Sequence, residues 1–301
     1  MKTTEQTTAL DFEGMKEMLL RPGNTNCAGC GMSISHQWLQ KAMGDIPITL
    51  AIPACCGIVT AGAFPTSAYG VPVVATTFGS AASVASGIRN VQLLNGDPGE
   101  TICWAGDGGT YDIGMATISA AAERNEDLIY ICYDNEIYGN TGGQRSSATP
   151  EGAVTSTTPY GKLEAKKDVM AIMAAHRIPY AATLSLAHKE DFMRKLQLAR
   201  EIRGFRFLLI HSPCPTGWKS EAALSVELVR LAVASGLFPL YEIFDGRRYR
   251  INAHPDGTPL EEYFNLQGRF KKGTVDLERV RQGVHENWDT LSRLEAAFPV
   301  E

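Results

Sequence analysis

An α/β fold built on a mainly parallel sheet is what this chain predicts, on three observations. Apolar stretches such as "TICWA", "LIYICY" and "FRFLLIH" run without the polar alternation of a half-exposed strand, which is the pattern of strands buried on both faces. Segments with apolar residues at helical spacing alternate with them along most of the chain, so helices should cover both faces of the sheet. The chain has 301 residues, 44% of them hydrophobic, enough to bury roughly three quarters of its extended surface in one large core or two fused ones.

Taken in order, residues 1–26 read as a polar N-terminal arm, closed by a turn at Pro22, Gly23 and Asn24. Residues 33–43 carry Ile34, Trp38, Leu39 and Ala42 on one helical face, and residues 48–54 form a buried strand ending at Cys55 and Cys56. Strands are then expected at 71–77, 101–105 and 128–133, the first two followed by helices at 80–94 and 112–124 and the third by a long loop. Helices at 166–176 and 189–202 precede strands at 178–184 and 205–211, and a helix at 221–236 closes the series. Beyond Leu240 an irregular hairpin is expected around Asp245 and Gly246. An amphipathic helix follows, with Leu277, Val280, Val284, Trp288, Leu291 and Leu294 on its apolar face. The division expected is an arm over 1–26, a main domain over 27–240, and a hairpin and helix over 241–301 that wraps the core or contacts another subunit.

The charge balance, 28 basic against 33 acidic residues for a net charge of -5, argues against a nucleic-acid partner, which calls for a basic surplus or patch. No apolar run is long enough for a membrane span, and the polar start does not read as a secretory signal. Seven cysteines, an odd number in a long chain, suit reduced thiols in a cytoplasmic setting.

Chemistry concentrates at the strand ends. "TICWAGDGGTYDIG" puts Gly106, Asp107, Gly108 and Gly109 where a buried strand gives way to a helix. In an open parallel sheet ligands collect at this edge, and glycines let the backbone approach a phosphate. The next strand ends in "ICYDNEIYGNTGGQRSS", so Asn135 can share that edge with Asp107. A carboxylate, an amide oxygen and a backbone carbonyl suit magnesium. An ordinary strand-to-helix turn and a loop-capping asparagine explain the same residues singly, and neither GxGxxG nor GxxxxGK[ST] is present.

"CAGCG" opens a second question, because Cys27 and Cys30 are half of a redox pair, of a zinc site or of an iron-sulfur site, or are buried unliganded thiols. Partners for a four-thiolate site exist in the Cys55–Cys56 pair and in Cys214 of "HSPCPTGW". Cys103 and Cys132 lie inside apolar strands, where free cysteine is a small hydrophobe. His36, His176 and His211 read as core or surface histidines, Arg145 as an anchor for a carboxylate or phosphate, and the serines of "RSSATP" as loop residues.

GDG followed at this spacing by an asparagine resembles the metal and diphosphate motif of thiamine diphosphate enzymes. The strings "CAGCG", "AGDGGTYDIG", "YDNEIYGNTGGQRSSATP", "TTPYGK" and "SPCPTGW" are similar, in order and from about residue 20 to about residue 270, to the beta subunit of 2-oxoacid:ferredoxin oxidoreductases of the pyruvate synthase type. The resemblance implies a thiamine diphosphate-binding fold in which Asp107, Asn135 and the Ile137 carbonyl hold magnesium. Gly106, Gly108 and Gly109 would approach the diphosphate, and Asn140 and Thr141 would lie by the substrate. It implies a [4Fe-4S] cluster on Cys27, Cys30, Cys214 and a third ligand. Laying "IPACC" over the "IPAGC" of relatives makes that ligand Cys56, with Cys55 in the glycine position.

The implied activity is oxidative decarboxylation of a 2-oxoacid, pyruvate or a bulkier one, to acyl-coenzyme A and carbon dioxide. Electrons would pass through the cluster toward ferredoxin. Alpha and gamma/delta-type subunits are implied as partners, one of them supplying the glutamate that engages the aminopyrimidine. Many relatives carry methionine or another large residue at the position of Gly139 and a small hydrophobic or polar residue at that of Gly143, so the cavity here is expected to admit a bulkier acyl group, unless a partner loop fills the gap. A non-oxidative 2-oxoacid decarboxylase would share GDG and Asn135 but has no need of four thiolates. An iron-sulfur electron-transfer subunit with a degenerate thiamine fold would keep the thiolates alone.

Overall fold

A computed structural model describes residues 18–63, 65–271 and 273–300. Most of the N-terminal arm expected over residues 1–26 therefore lies outside the described residues. Where the chain enters, Leu19 and Leu20 are buried, Leu20 bridging to Tyr69, and Gly23 turns the backbone at φ 78°.

The strands are β1 (Ile48–Ile52), β2 (Val73–Ala75), β3 (Glu100–Gly106), β4 (Leu128–Asp134), β5 (Tyr180–Ser185), β6 (Phe205–His211), β7 (Leu240–Phe244) and β8 (Arg248–Ala253). They form one eight-stranded sheet in the order β2-β1-β3-β4-β6-β5-β7-β8. Strands β1 to β6 are parallel, and β7 and β8 join antiparallel at one edge. Every residue of β3, β4, β5 and β6 is buried, as their unbroken apolar sequences require. The stretch at 71–77 behaves differently: only Val73–Ala75 pair, at the open edge beside β1, and none of the three is fully buried. Edge strands are kept short and are not covered on both sides.

Helices α1 (Gly31–Met43) and α6 (Lys189–Glu201) cover one face of the sheet, where Trp38 meets Phe192 edge to face at 4.9 Å. The other face carries α3 (Ala81–Leu94), α4 (Met115–Glu123), α5 (Val169–Ala175), α8 (Ser225–Ala234), α9 (Leu260–Asn265) and α10 (Leu277–Ala297). Two four-residue helices, α2 (Cys56–Val59) and α7 (Pro215–Trp218), follow β1 and β6. The helix expected from residue 112 starts later, because a wide turn over Gly108–Asp112 comes first, closed by the Ile113 amide donating to the Gly108 carbonyl at 3.2 Å. Such five-residue closures are rare and recur at functional sites.

The hairpin beyond Leu240 extends the same sheet. Its turn places Asp245 and Gly246 at φ 52° and 64°, the paired left-handed conformation that matches strand twist. Helix α10, N-capped by Asp276, lays Leu277, Val280, Val284 and Leu291 against the core. No helix among the described residues is long and apolar enough to cross a membrane.

Candidate active site

Parallel pairing brings the carboxyl ends of β1, β3, β4 and β6 to one edge, and the residues after each end carry the chemistry. Gly106 ends β3, and Asp107, Gly108 and Gly109 enter the wide turn. A Cβ on Gly108 would stand 2.1 Å from the Tyr138 ring, so only glycine lets the β4 loop close over this turn. The Tyr138 hydroxyl is anchored on Asp112 at 2.7 Å.

Asp107 is buried, and its Oδ1 lies 2.8 Å from the end of the Asn135 side-chain amide, which in turn lies 2.9 Å from the Ile137 carbonyl oxygen. With its nitrogen there, the amide donates to both oxygens; with its oxygen there, three oxygens face one another with no hydrogen between them. The second arrangement is the donor set of a hard cation. Burial and then the nearby Asp134 carboxylate push the Asp107 carboxyl well above the usual range, against the Ser146 hydroxyl that donates to it. Asp107, Asn135 and Ile137 thus fit magnesium. Together with Gly106, Gly108, Gly109, Asn140 and Thr141 they line a cavity of about 280 Å³, where glycine backbones and a cation site suit a diphosphate.

The thiols surround a second, smaller cavity. Cys27, Cys30, Cys56 and Cys214 line about 70 Å³ of space beside the first cavity, while Cys55 lines only the larger one. The glycines of "CAGCG" explain the approach. Gly31 packs so tightly that a Cβ would be 2.5 Å from Pro213, and Gly29, at φ 72°, so tightly that one would be 2.4 Å from the Ala222 carbonyl oxygen. The first cysteine pair is thereby docked against the Cys214 segment. Burial and the neighbouring thiols push Cys56 up to about 12, and burial pushes Cys214 up to about 11 although the Gly217 amide donates to its sulfur at 3.3 Å. No three His, Cys, Asp or Glu side chains among the described residues close on a single metal ion. Four thiols spread around a cavity fit the corners of a cluster better than one zinc ion, which needs every sulfur at about 2.3 Å.

The two cavities share a wall made by Cys56, Val59, Tyr133, Asn135 and Asn140. Across it the Cys56 thiol donates to Asn140 Oδ1 at 3.5 Å. Cys103 and Cys132 are fully buried inside β3 and β4, away from both cavities. His36 packs tilted against Trp104, His176 caps α5, and His211 is buried with neither ring nitrogen hydrogen-bonded. Arg145 is exposed and lines neither cavity.

Several contributors were not singled out from the sequence. The "RSSATP" serines are more than loop residues: Ser146 bonds Asp107 and Ser147 bonds Asp112. Behind the oxygens lies a buried ionic group in which Lys166 bonds Asp134 at 2.6 Å and Glu136 at 2.9 Å, and Arg269 bonds Glu136 at 2.6 Å. Burial alone would raise the Glu136 carboxyl, but Lys166 and Arg269 hold it down to about 2. Short polar residues in a loop and charges scattered from 134 to 269 have no spacing that announces them.

Residues 55–210 match the thiamine pyrophosphate enzyme, C-terminal TPP binding domain, so the chain carries a thiamine pyrophosphate-binding domain. Ketoisovalerate oxidoreductase subunit VorB of Pyrococcus furiosus is 45% identical over 291 residues, covering 92% of this chain and 93% of the relative. Pyruvate synthase subunit PorB of Methanothermobacter thermautotrophicus is 43% identical over 268 residues, covering 87% and 92%. The structure of 2-oxoglutarate:ferredoxin oxidoreductase from Magnetococcus marinus superposes with a TM-score of 0.60 at 22% identity over 83% of this chain and 90% of that one, a likeness of fold. The chain belongs to the beta subunits of the 2-oxoacid:ferredoxin oxidoreductases.

Proposed function

We propose that this chain supplies the cofactor-binding half of an oxidative 2-oxoacid decarboxylase and the first station for the electrons released. The observation that supports it is the wall common to the two cavities, with Cys56 and Asn140 in contact across it at 3.5 Å. Thiamine diphosphate supplies, when bound, the nucleophilic carbon at which a 2-oxoacid loses carbon dioxide, and a [4Fe-4S] cluster accepts single electrons. Asp107, Asn135 and the Ile137 carbonyl hold magnesium, and the backbone of Gly106, Gly108 and Gly109 lies against the diphosphate. Asn140 and Thr141, both exposed at the cavity mouth, orient the 2-oxoacid, while Ile58, Val59 and Phe78 of the same lining keep water from it. Cys27, Cys30, Cys56 and Cys214 hold the cluster.

The substrate is pyruvate or a bulkier 2-oxoacid. The larger choice is favoured by Gly139, which lines the cavity without a side chain, and by kinship to a subunit named for ketoisovalerate. Other subunits of the complex bring the glutamate for the aminopyrimidine and the path to ferredoxin, and coenzyme A takes the acyl group.

Asp107→Ala and Cys214→Ala in the assembled complex test this. Asp107→Ala is expected to lose thiamine diphosphate while four iron and four sulfide per chain persist. Cys214→Ala is expected to keep the cofactor and the first release of carbon dioxide but to abolish reduction of ferredoxin. Normal ferredoxin reduction by Cys214→Ala would break the ligand set, and cofactor retention by Asp107→Ala would break the magnesium site.

A further inference from the structure

Glu136 stands between Asn135 and Ile137 with its backbone in the left-handed region, φ 63°. A non-glycine residue holds that conformation only where its surroundings over-determine it. Here the inversion lets the Asn135 amide and the Ile137 carbonyl, two residues apart, face each other at 2.9 Å. What holds it is side-chain bonding in the interior. The Glu136 carbonyl accepts from the Thr149 hydroxyl at 2.6 Å, and its carboxylate accepts from Lys166 at 2.9 Å and Arg269 at 2.6 Å.

Arg269 is itself 2% exposed and held through Nε, Nη2, the face of its guanidinium and its backbone, Nη1 being buried without a hydrogen-bond partner among the described residues. Its Nε donates to Gln267 at 2.8 Å, its guanidinium lies 4.2 Å over the Trp218 ring, and its backbone amide donates to the Trp218 carbonyl at 3.2 Å. Trp218 in turn donates from its indole to the Asn135 carbonyl at 2.8 Å, and it ends the short helix that Cys214 caps. One guanidinium therefore braces the peptide that carries two of the three oxygen ligands and the tryptophan that follows a cluster cysteine.

We infer that Arg269 is a positioning residue for the diphosphate metal: by locking Glu136 left-handed it sets the Asn135 and Ile137 oxygens, so that a residue beyond Leu240 completes a site otherwise built at the carboxyl edge of the sheet. The inference rests on the reading of Asp107, Asn135 and Ile137 as magnesium ligands. Partners behind metal ligands typically govern affinity by 10–100-fold.

The test uses the assembled complex with thiamine diphosphate and reads binding of Mn2+, as the metal probe, by the electron paramagnetic resonance of the free ion. Arg269→Met removes the charge, Glu136→Gln/Arg269→Met removes both partners so that no buried charge is stranded, and Arg269→Lys keeps the charge but loses the planar fork. Expected are a 10–100-fold loss of Mn2+ affinity in the first two and a several-fold loss in Arg269→Lys, with iron content unchanged. Wild-type Mn2+ affinity in whichever of these variants folds overturns the inference, including the case in which only the melting temperature falls. The underlying reading fails separately, if the wild-type complex binds no Mn2+ with thiamine diphosphate or if Asp107→Ala binds it normally.

Discussion

A Cβ placed on Gly139 would meet nothing closer than the Cys56 sulfur at 3.7 Å, and the residue needs no left-handed backbone. Gly143 differs: it sits at φ 78°, outside the cavity lining, so its glycine answers to the turn. Of the two glycines, only Gly139 leaves volume in the cavity. Gly139→Met should therefore fold normally and fill that space. We expect the ratio of turnover on a large aryl 2-oxoacid to that on pyruvate to fall by about tenfold, the scale on which apolar pockets discriminate by size. Steady-state kinetics of the two substrates on wild-type and variant complexes decide it, and an unmoved ratio would mean that a partner subunit shapes this part of the cavity.

Among the elements, "CAGCG" shows how a loop and a helix start are used to build a site from distant segments. Gly31 opens α1 and donates its amide to the Pro213 carbonyl at 3.1 Å. A methyl group there would collide with Pro213, a ring that cannot yield cheaply. Gly31→Ala should thus push Cys27 and Cys30 away from Cys214. The expected result is loss of most of the iron on reconstitution with thiamine diphosphate affinity kept, measured by iron analysis and calorimetric titration; full iron occupancy would show that the segments adjust. The strands that bear the site were legible because β3, β4 and β6 are covered on both faces, which forces unbroken apolar sequence. Strand β2 is shorter than the apolar stretch 71–77 predicts, since a three-residue edge strand leaves little pattern. The turn over Gly108–Asp112 is not legible because Gly-Gly-Thr-Tyr-Asp reads equally well as an ordinary strand-to-helix turn. In the same way Asp107 and Asn135 stand out at strand ends, whereas Glu136 and Arg269, 133 positions apart, look like any two surface charges until the fold joins them.

Over the whole molecule, the same burial that builds the site also fixes how the chain responds to acid. His36 is sealed between Tyr69 and Trp104, with ring centroids 5.5 and 4.2 Å away, and burial holds its pKa down to about 3 against the Met32 carbonyl. His211 is likewise held to about 3 by burial, against the attraction of Glu136. In the unfolded chain both rings titrate near pH 6.5. Their contribution to stability is thus complete above about pH 6.5 and is lost as pH falls toward 3, because the unfolded state takes up protons that the native rings refuse. The loss approaches about 1.4 kcal/mol per pH unit for each ring. Carboxylates whose cationic partners lower their pKa, such as Asp127 beside Arg89 and Glu242 beside Arg194, lose stability at lower pH, below the ordinary carboxylate range near 4. Between pH 6.5 and 5 acid removes the stability that the buried histidines contribute, while Asp107, whose carboxyl is pushed up by burial, acts in the opposite direction, so one ring is read from the difference between wild type and a variant that lacks it. His36→Phe keeps an aromatic ring in the stack and removes one titrating group. Urea unfolding midpoints measured across that interval should respond to acid less favourably in wild type than in His36→Phe, the gap between the two widening as pH falls. A gap between wild type and His36→Phe that stays constant from pH 6.5 to 5 would mean that His36 takes up its proton in the folded protein, and the account of burial given for it would be wrong.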